Sequence, residues 1–96
     1  MYKVELRFND SLLSPAEKEK LYEQTDRIFE EEDLNRADCE PGKRVYLDRG
    51  RTQDYGRFWA AIFALKNSEW ITGHLQECYW YNGSEKENLI TEFMKV

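Results

Sequence analysis

The sequence predicts a small α+β domain in which helices pack on a largely antiparallel sheet. Three observations support this fold class: an alternating N-terminal segment, a capped amphipathic segment directly after it, and further alternating segments later in the chain. With 96 residues, the chain is short enough that we treat 1–96 as one domain. Its composition, 41% hydrophobic and 34% charged, is typical of a globular chain with a strongly solvated surface.

The first strand and the first helix carry the clearest signals. Apolar and charged residues alternate up to Phe8, which predicts a half-buried strand. Ser14 is followed by a proline and then by Glu17, a capping box that predicts the start of a helix over residues 15–32. Apolar residues at helical spacing within that range predict a buried stripe.

The middle of the chain is harder to assign. Residues 33–42 are typical of a loop, and the alternation at 45–47 predicts a second strand. The run 58–65 is apolar throughout, so periodicity does not separate a buried helix from a central strand. Its short length and the preceding Gly56 favour a strand buried on both faces. For residues 67–76 a short helix and a hairpin both stay open.

The end of the chain predicts a strand followed by a second helix. Residues 78–81 form the strand, and Asn82-Gly83 ends it. A second capping-box pattern over residues 84–87 predicts a terminal helix with one apolar face, formed by Leu89, Ile90 and Phe93. The predicted architecture is therefore one layer of two helices, N-terminal and C-terminal, on one layer of sheet.

Catalytic and metal-binding motifs are absent from the sequence. His74 is the single histidine, and no serine or cysteine lies in the context of a catalytic nucleophile. Cys39 and Cys78 are isolated and do not form a metal-binding pattern, and no glycine-rich phosphate loop occurs. We expect a non-enzymatic protein without a cofactor or a metal.

Targeting signals are also missing. Residues 1–8 contain no apolar run, so they do not resemble a signal peptide, and residues 58–65 are too few to span a membrane. We therefore expect a cytoplasmic protein that does not bind membranes, with both cysteines as reduced thiols.

Charge is distributed unevenly along the chain. The net charge is −5; residues 1–40 hold 12 acidic and six basic residues, whereas 41–66 hold two acidic and six basic. The negative balance disfavours direct nucleic-acid binding and favours a cationic partner. Four consecutive acidic residues, Glu30 to Asp33, lie at the end of the helix predicted over residues 15–32. They form either a solvated helix end or a surface that steers a cationic partner. The basic segment contains Lys43, Arg44, Arg49, Arg51 and Arg57. It either contacts phosphates or pairs internally with the acidic helix.

Aromatic residues supply the second candidate feature. A strand over 79–81 would point alternate rings to opposite faces, so at least one ring should reach the surface. Trp80 or Tyr81 could then anchor a protein partner, because Trp and Tyr are enriched at binding hot spots. Packing against the terminal helix is the alternative.

The acidic stretch Glu30 to Glu40 and the ending Cys78 to Gly83 resemble the small immunity proteins of bacterial toxin–immunity pairs, above all those of contact-dependent growth inhibition. The resemblance is one of size and character over the whole chain. It implies tight, stoichiometric binding to a cognate toxin domain, often a basic nuclease, with carboxylates standing in for substrate phosphates.

On this hypothesis a set of carboxylates steers the partner and one aromatic residue anchors it. The steering residues are Glu30, Glu31, Asp33, Asp38 and Glu40, the anchor is Trp80 or Tyr81, and the lesser candidates are Asp48 and Asp54. The alternative is a phage or plasmid polyanion mimic that blocks a host nucleic-acid-binding protein. A ligand-binding or catalytic module around His74 and a self-associating structural protein are further alternatives.

Overall fold

A five-stranded antiparallel sheet with helices on one face forms the fold of the computed structural model, which describes residues 1–38 and 40–91. The elements follow in the order β1 (Tyr2–Phe8), α1 (Pro15–Glu31), β2 (Asn35–Asp38), β3 (Lys43–Leu47), α2 (Asp54–Lys66), α3 (Glu69–Thr72), β4 (Leu75–Asn82) and β5 (Glu85–Asn88). The strand order across the sheet is β2-β3-β1-β4-β5, and every neighbouring pair is antiparallel. The predicted α+β class is confirmed.

The central strand β1 divides its residues between two faces, as its alternation predicts. Val4, Leu6 and Phe8 are buried, and the strand pairs that they form with β4 place Trp80 and Cys78 on the same side. Helices α1 and α2 pack on this side and complete the core. The opposite side, which we call the open face, carries the charged residues of β1.

Helix α1 begins at the predicted capping box. The Ser14 hydroxyl accepts a hydrogen bond from the Glu17 amide at 3.2 Å, and the Glu17 carboxylate accepts one from the Ser14 amide at 3.0 Å. The helix buries Leu21, Thr25 and Phe29 against the sheet. The predicted helix is thus confirmed to within one residue of its end.

The prediction of a strand over residues 58–65 is wrong, because this segment lies within α2. Its buried side chains have helical spacing: Phe58, Ala61, Ile62 and Leu65. The exposed side of the same helix carries Phe63 and two alanines, so the sequence is apolar on both sides and hides its period. After it, α3 follows the Ser68 cap, so the short-helix alternative is the one that forms within residues 67–76.

The predicted terminal helix after Ser84 is also wrong over its first turn. Ser84 lies in the β4–β5 turn, and β5 pairs with β4 so that Glu87 lies opposite Trp80. Gly83 has a φ of +60°, a backbone conformation that suits the tight turn of a hairpin. Leu89 is buried just after β5, whereas Phe93 lies outside the described residues.

The predicted loop over residues 33–42 contains the edge strand β2. Its pairing with β3 is irregular, because the register shifts between Arg36 and Asp38. Such a bulge breaks the alternation that identifies a strand in sequence. Among the described residues, no helix is long and apolar enough to cross a membrane.

The thiol of Cys78 should be inert in the folded protein. It is free and buried, and burial raises its pKa to about 12, so the reactive thiolate is scarce at neutral pH. In a Cys39→Ser variant we expect iodoacetamide to modify Cys78 only after denaturant is added, as followed by mass spectrometry. Rapid modification without denaturant would show that the core around β4 opens readily.

Candidate protein-binding surface

The C-terminal end of α1 carries two exposed carboxylates, Glu30 and Glu31. Glu30 and Glu31 are exposed, and neither has an ion-pair partner within residues 1–38 and 40–91. The last turn of the helix contains no basic residue. Negative charge at this end opposes the helix dipole, so these two residues do not stabilise the helix.

The neighbouring Glu32 and Asp33 have structural partners. Glu32 lies 3.9 Å from Arg57 of α2. The Asp33 carboxylate accepts a hydrogen bond from Arg51 at 2.6 Å, and its backbone carbonyl accepts bonds from Arg49 and Arg51. The Arg51 hydrogen bond, helped by Arg49, lowers the pKa of Asp33. Asp33 therefore ties the end of α1 to the loop before α2, although its side chain is still 59% exposed.

Asp54 is buried, so the prediction that it binds a partner is corrected. Its exposure is 0%, and it accepts hydrogen bonds from the Arg49 amide at 2.7 Å and the Arg51 amide at 3.2 Å. The Arg51 guanidinium adds a third bond at 2.8 Å. Burial alone would raise the pKa of Asp54, but these three donors outweigh burial and lower it. Asp54 organises the turn that starts α2.

Most arginines of the basic segment form ion pairs within the protein. Four of its arginines form ion pairs with acidic residues of α1, of the loop that follows it, or of α2; they are Arg44, Arg49, Arg51 and Arg57. Internal pairing is confirmed for all four, with α1 itself for Arg44 and with the residues directly after it for Arg49, Arg51 and Arg57. Their guanidinium groups already bind carboxylates, which leaves them poorly suited to a phosphate-binding patch.

Asp26 is the central buried acid of α1, and the sequence analysis did not single it out. It is 7% exposed and accepts hydrogen bonds from Arg44 Nε at 3.1 Å, from Arg36 Nη1 at 2.5 Å and from the Tyr46 hydroxyl at 2.5 Å. Burial, and next the hydrogen bond to Asp26, raise the pKa of Tyr46, so the phenol stays protonated and donates. Its position next to Thr25 and three residues before Phe29, within the apolar stripe of α1, was the sequence signal that could have indicated its burial.

A groove of about 560 Å³ runs between α1 and the β2–β3 side of the sheet, above this network. Asp26 and its two arginines form the floor. Three further acids line the groove, Glu19, Glu23 and Glu30, and Arg27 lies with them in the lining. Of these three, Glu23 pairs with Arg27 at 3.2 Å. The groove therefore continues the acidic surface of Glu30 and Glu31 along the helix.

The remaining predicted acidic residues are dispersed around this end of the sheet. Asp38 lies opposite Val45 in the β2–β3 pairing, and Glu40 is exposed in the connection between the two strands. Asp48 directly follows β3 and is half-buried. Glu40 and Asp48 thus lie before and after β3, whereas Glu30 and Glu31 lie at the end of α1.

Trp80 is not a surface anchor, and this prediction is corrected. It is 3% exposed, stacks on Tyr2 with ring centroids 5.5 Å apart, and contacts Phe58 edge-on at 5.3 Å. Cys78 and Trp80 lie opposite the buried Leu6 and Val4 of β1, which is why Trp80 enters the core. Tyr81 lies half-buried on the open face. It is separated from Glu30 by the full thickness of the sheet, so one compact contact cannot include both.

His74 packs edge-on against Trp70, with centroids 5.6 Å apart. Within residues 1–38 and 40–91, no three His, Cys, Asp or Glu side chains converge in a way that could hold a metal ion. Neither protein-family models, curated proteins nor solved structures gave a match to this chain. Functional inference therefore depends on the geometry of the surface.

Proposed function

We propose that the protein is an immunity-type inhibitor that binds a basic bacterial toxin domain through the exposed carboxylates at the C-terminal end of α1. One observation carries this proposal. Arg49, Arg51 and Arg57 pair with Asp33 or Glu32, and Arg27, one turn before Glu30 and Glu31, pairs with Glu23. Glu30 and Glu31 stay exposed without ion pairs in the described part of the chain.

The energetics of the helix end support a role outside the molecule. A negative charge near a helix C-terminus costs about 0.3–1 kcal/mol at low salt, and two adjacent ones also repel each other. Nothing in the described contacts of Glu30 or Glu31 offsets that cost. A cationic partner would offset it on binding, because its charges would meet both carboxylates and the helix end together.

The same surface would act mainly on the rate of association. Exposed charges of one sign steer an oppositely charged partner toward the contact, and this effect weakens as salt is added. Glu19 and Glu23, which line the groove with Glu30, add acidic residues to this surface along α1. Carboxylates there could occupy the positions that substrate phosphates take in a basic nuclease, as the resemblance to immunity proteins implies.

The test is affinity capture from the source cells with matched charge variants. The bait proteins are the wild type, a Glu30→Lys/Glu31→Lys variant and a Glu85→Lys/Glu87→Lys control. The control changes the net charge equally, but on the exposed β5 edge, at the other end of the sheet from β2. We expect one partner at equal stoichiometry with wild type and control, and at least tenfold less of it with the α1 variant, about 1.4 kcal/mol of binding free energy.

The captured protein is then purified and assayed with and without the inhibitor. A growth-inhibiting toxin domain that one equivalent of wild-type protein silences supports the proposal. A host nucleic-acid-binding protein without toxicity supports the polyanion-mimic alternative. Equal capture by the wild type and the α1 variant would show that the end of α1 is not the binding surface.

A further inference from the structure

The open face of the sheet carries an ordered row of cations and tyrosines. Lys3 of β1, Tyr81 of β4 and Lys86 of β5 are direct cross-strand neighbours. Tyr79 lies two residues before Tyr81 and on the same face. The two rings are therefore one pleat repeat apart, about 6.8 Å along the strand.

Both lysines lie against the tyrosine rings. Lys3 Nζ is 4.2 Å from the centroid of Tyr81, and Lys86 Nζ is 4.2 Å from that of Tyr79 and 5.5 Å from that of Tyr81. Neither lysine has an ion-pair partner among the described residues. A hydrogen bond with Tyr81 raises the pKa of Lys86, which stays charged.

The charge of this face differs from that of the whole molecule. The register places four cations there, Lys3, Arg7, Lys43 and Lys86. Among the side chains that the structure describes on this face, the acidic ones are Glu5 and Glu77, and Glu77 pairs with Arg7 at 3.5 Å. Lys3 and Lys86 therefore supply positive charge beside the two tyrosines in a chain whose net charge is −5. Because exposed charges are screened over about 8 Å at physiological salt, a ligand on this face would sense mainly these local charges.

We propose that the open face binds single-stranded nucleic acid, with Tyr79 and Tyr81 stacking on two bases and Lys3 and Lys86 contacting the neighbouring phosphates. Aromatic side chains on a surface flanked by cations are the general means of binding single strands without sequence preference. Stacking of a base on an aromatic ring is stronger than an exposed cation–π contact. The lysines can therefore leave the rings for phosphates when bases arrive.

Such a site departs from the expectation that the negative net charge disfavours direct nucleic-acid binding. It is independent of the inhibitor proposal, because it uses the opposite face of the sheet and none of the α1 carboxylates. With two stacking rings the site is small, so its binding is weak and salt-dependent.

The test is fluorescence anisotropy with a fluorescein-labelled oligothymidylate at low ionic strength. We expect saturable binding that a Tyr79→Ala/Tyr81→Ala variant weakens about tenfold or more, while a Tyr79→Phe/Tyr81→Phe variant, which keeps both rings, stays close to wild type. A Lys3→Ala/Lys86→Ala variant should reduce the slope of log K against log salt by about 1.4, since each phosphate contact contributes about 0.7 on a single strand.

A Lys18→Ala/Lys20→Ala variant on α1 is the matched charge control, and circular dichroism confirms folding of each protein. Equal weakening by the α1 lysine variant and the open-face lysine variant would mean that the binding is non-specific, and it would overturn the inference. So would an absence of saturable binding by the wild type. The Tyr79→Ala/Tyr81→Ala variant could also bind the oligonucleotide as the wild type does and yet fail to inhibit a captured toxin. The open face would then contact protein, and the inference would be wrong, whatever the capture experiment with the Glu30→Lys/Glu31→Lys variant shows.

Discussion

Replacing Asp26 with alanine should lower the free energy of unfolding by about 3–5 kcal/mol, the usual effect of removing one partner from a buried ion pair. Asp26 is 7% exposed, and it binds Arg44, whose side chain is only 11% exposed. Without the carboxylate, the Arg44 guanidinium and the Tyr46 hydroxyl would stay buried, and each would lose the acceptor of one hydrogen bond. The loss would loosen the contact between α1 and the β2–β3 side of the sheet.

Urea unfolding followed by circular dichroism measures this effect. A Glu23→Ala variant is the control, because Glu23 is also an acid of α1 paired with an arginine, but both side chains are more than 60% exposed. We expect that control to change stability by no more than about 0.5 kcal/mol. A comparable small change for both variants would mean that the Asp26 network does not join α1 to the sheet.

Replacing Asp54 with asparagine should destabilise the protein at neutral pH by about 3 kcal/mol, because three donors share this buried carboxylate. The variant should also alter the dependence of stability on pH. The pKa of Asp54 is lowered in the folded protein, relative to about 3.9 in an unfolded chain. Its stabilising contribution is therefore complete above about pH 4 and is lost as the pH falls through the lower, folded value.

We expect the wild type and the Asp54→Asn variant to differ most above pH 5 and to converge as the pH falls below 4. Urea midpoints measured across this range test the expectation. An Asp48→Asn variant is the control, because the Asp48 side chain makes no hydrogen bond or ion pair in the described structure. A constant difference between the Asp54 variant and the wild type down to pH 2 would contradict this account of the turn.

Elements specified by local contacts could be predicted from the sequence. The capping box of Ser14 and Glu17 fixes the start of α1 through bonds within one turn, and the alternation of β1 survives because one of its faces is buried. Helix α2 was missed for a physical reason. Its exposed side carries Phe63 and alanines, so polarity did not mark which side faces water.

The hairpin β4–β5 shows where local signals compete. Residues 84–87 have the same capping pattern as the start of α1, but Gly83 permits a tight turn and β4 offers a pairing edge. The strand pairing prevails over the local helix signal. A pattern read along the chain does not report which edge of a sheet is available to pair.

The candidate surface was predictable in outline only. Opposite charges in the first and second parts of the chain indicated internal pairing, and the structure confirms it for Arg44, Arg49, Arg51 and Arg57. The loop geometry around Asp33, whose φ is +55°, determines which carboxylates form ion pairs with these arginines. Charge counting therefore placed Asp33 among the steering carboxylates with Glu30 and Glu31, and Asp54 among the lesser candidates, although both residues make structural hydrogen bonds.

The rate of association with the captured toxin domain, measured by stopped flow across a series of salt concentrations, tests the central claim most directly. We expect a wild-type rate constant that falls steeply with salt, as for electrostatically steered pairs. The Glu30→Lys/Glu31→Lys variant should associate about tenfold or more slowly at low salt and show a flatter salt dependence, while the Glu85→Lys/Glu87→Lys control stays near wild type. Identical rates and slopes for the two variants would contradict binding through the end of α1.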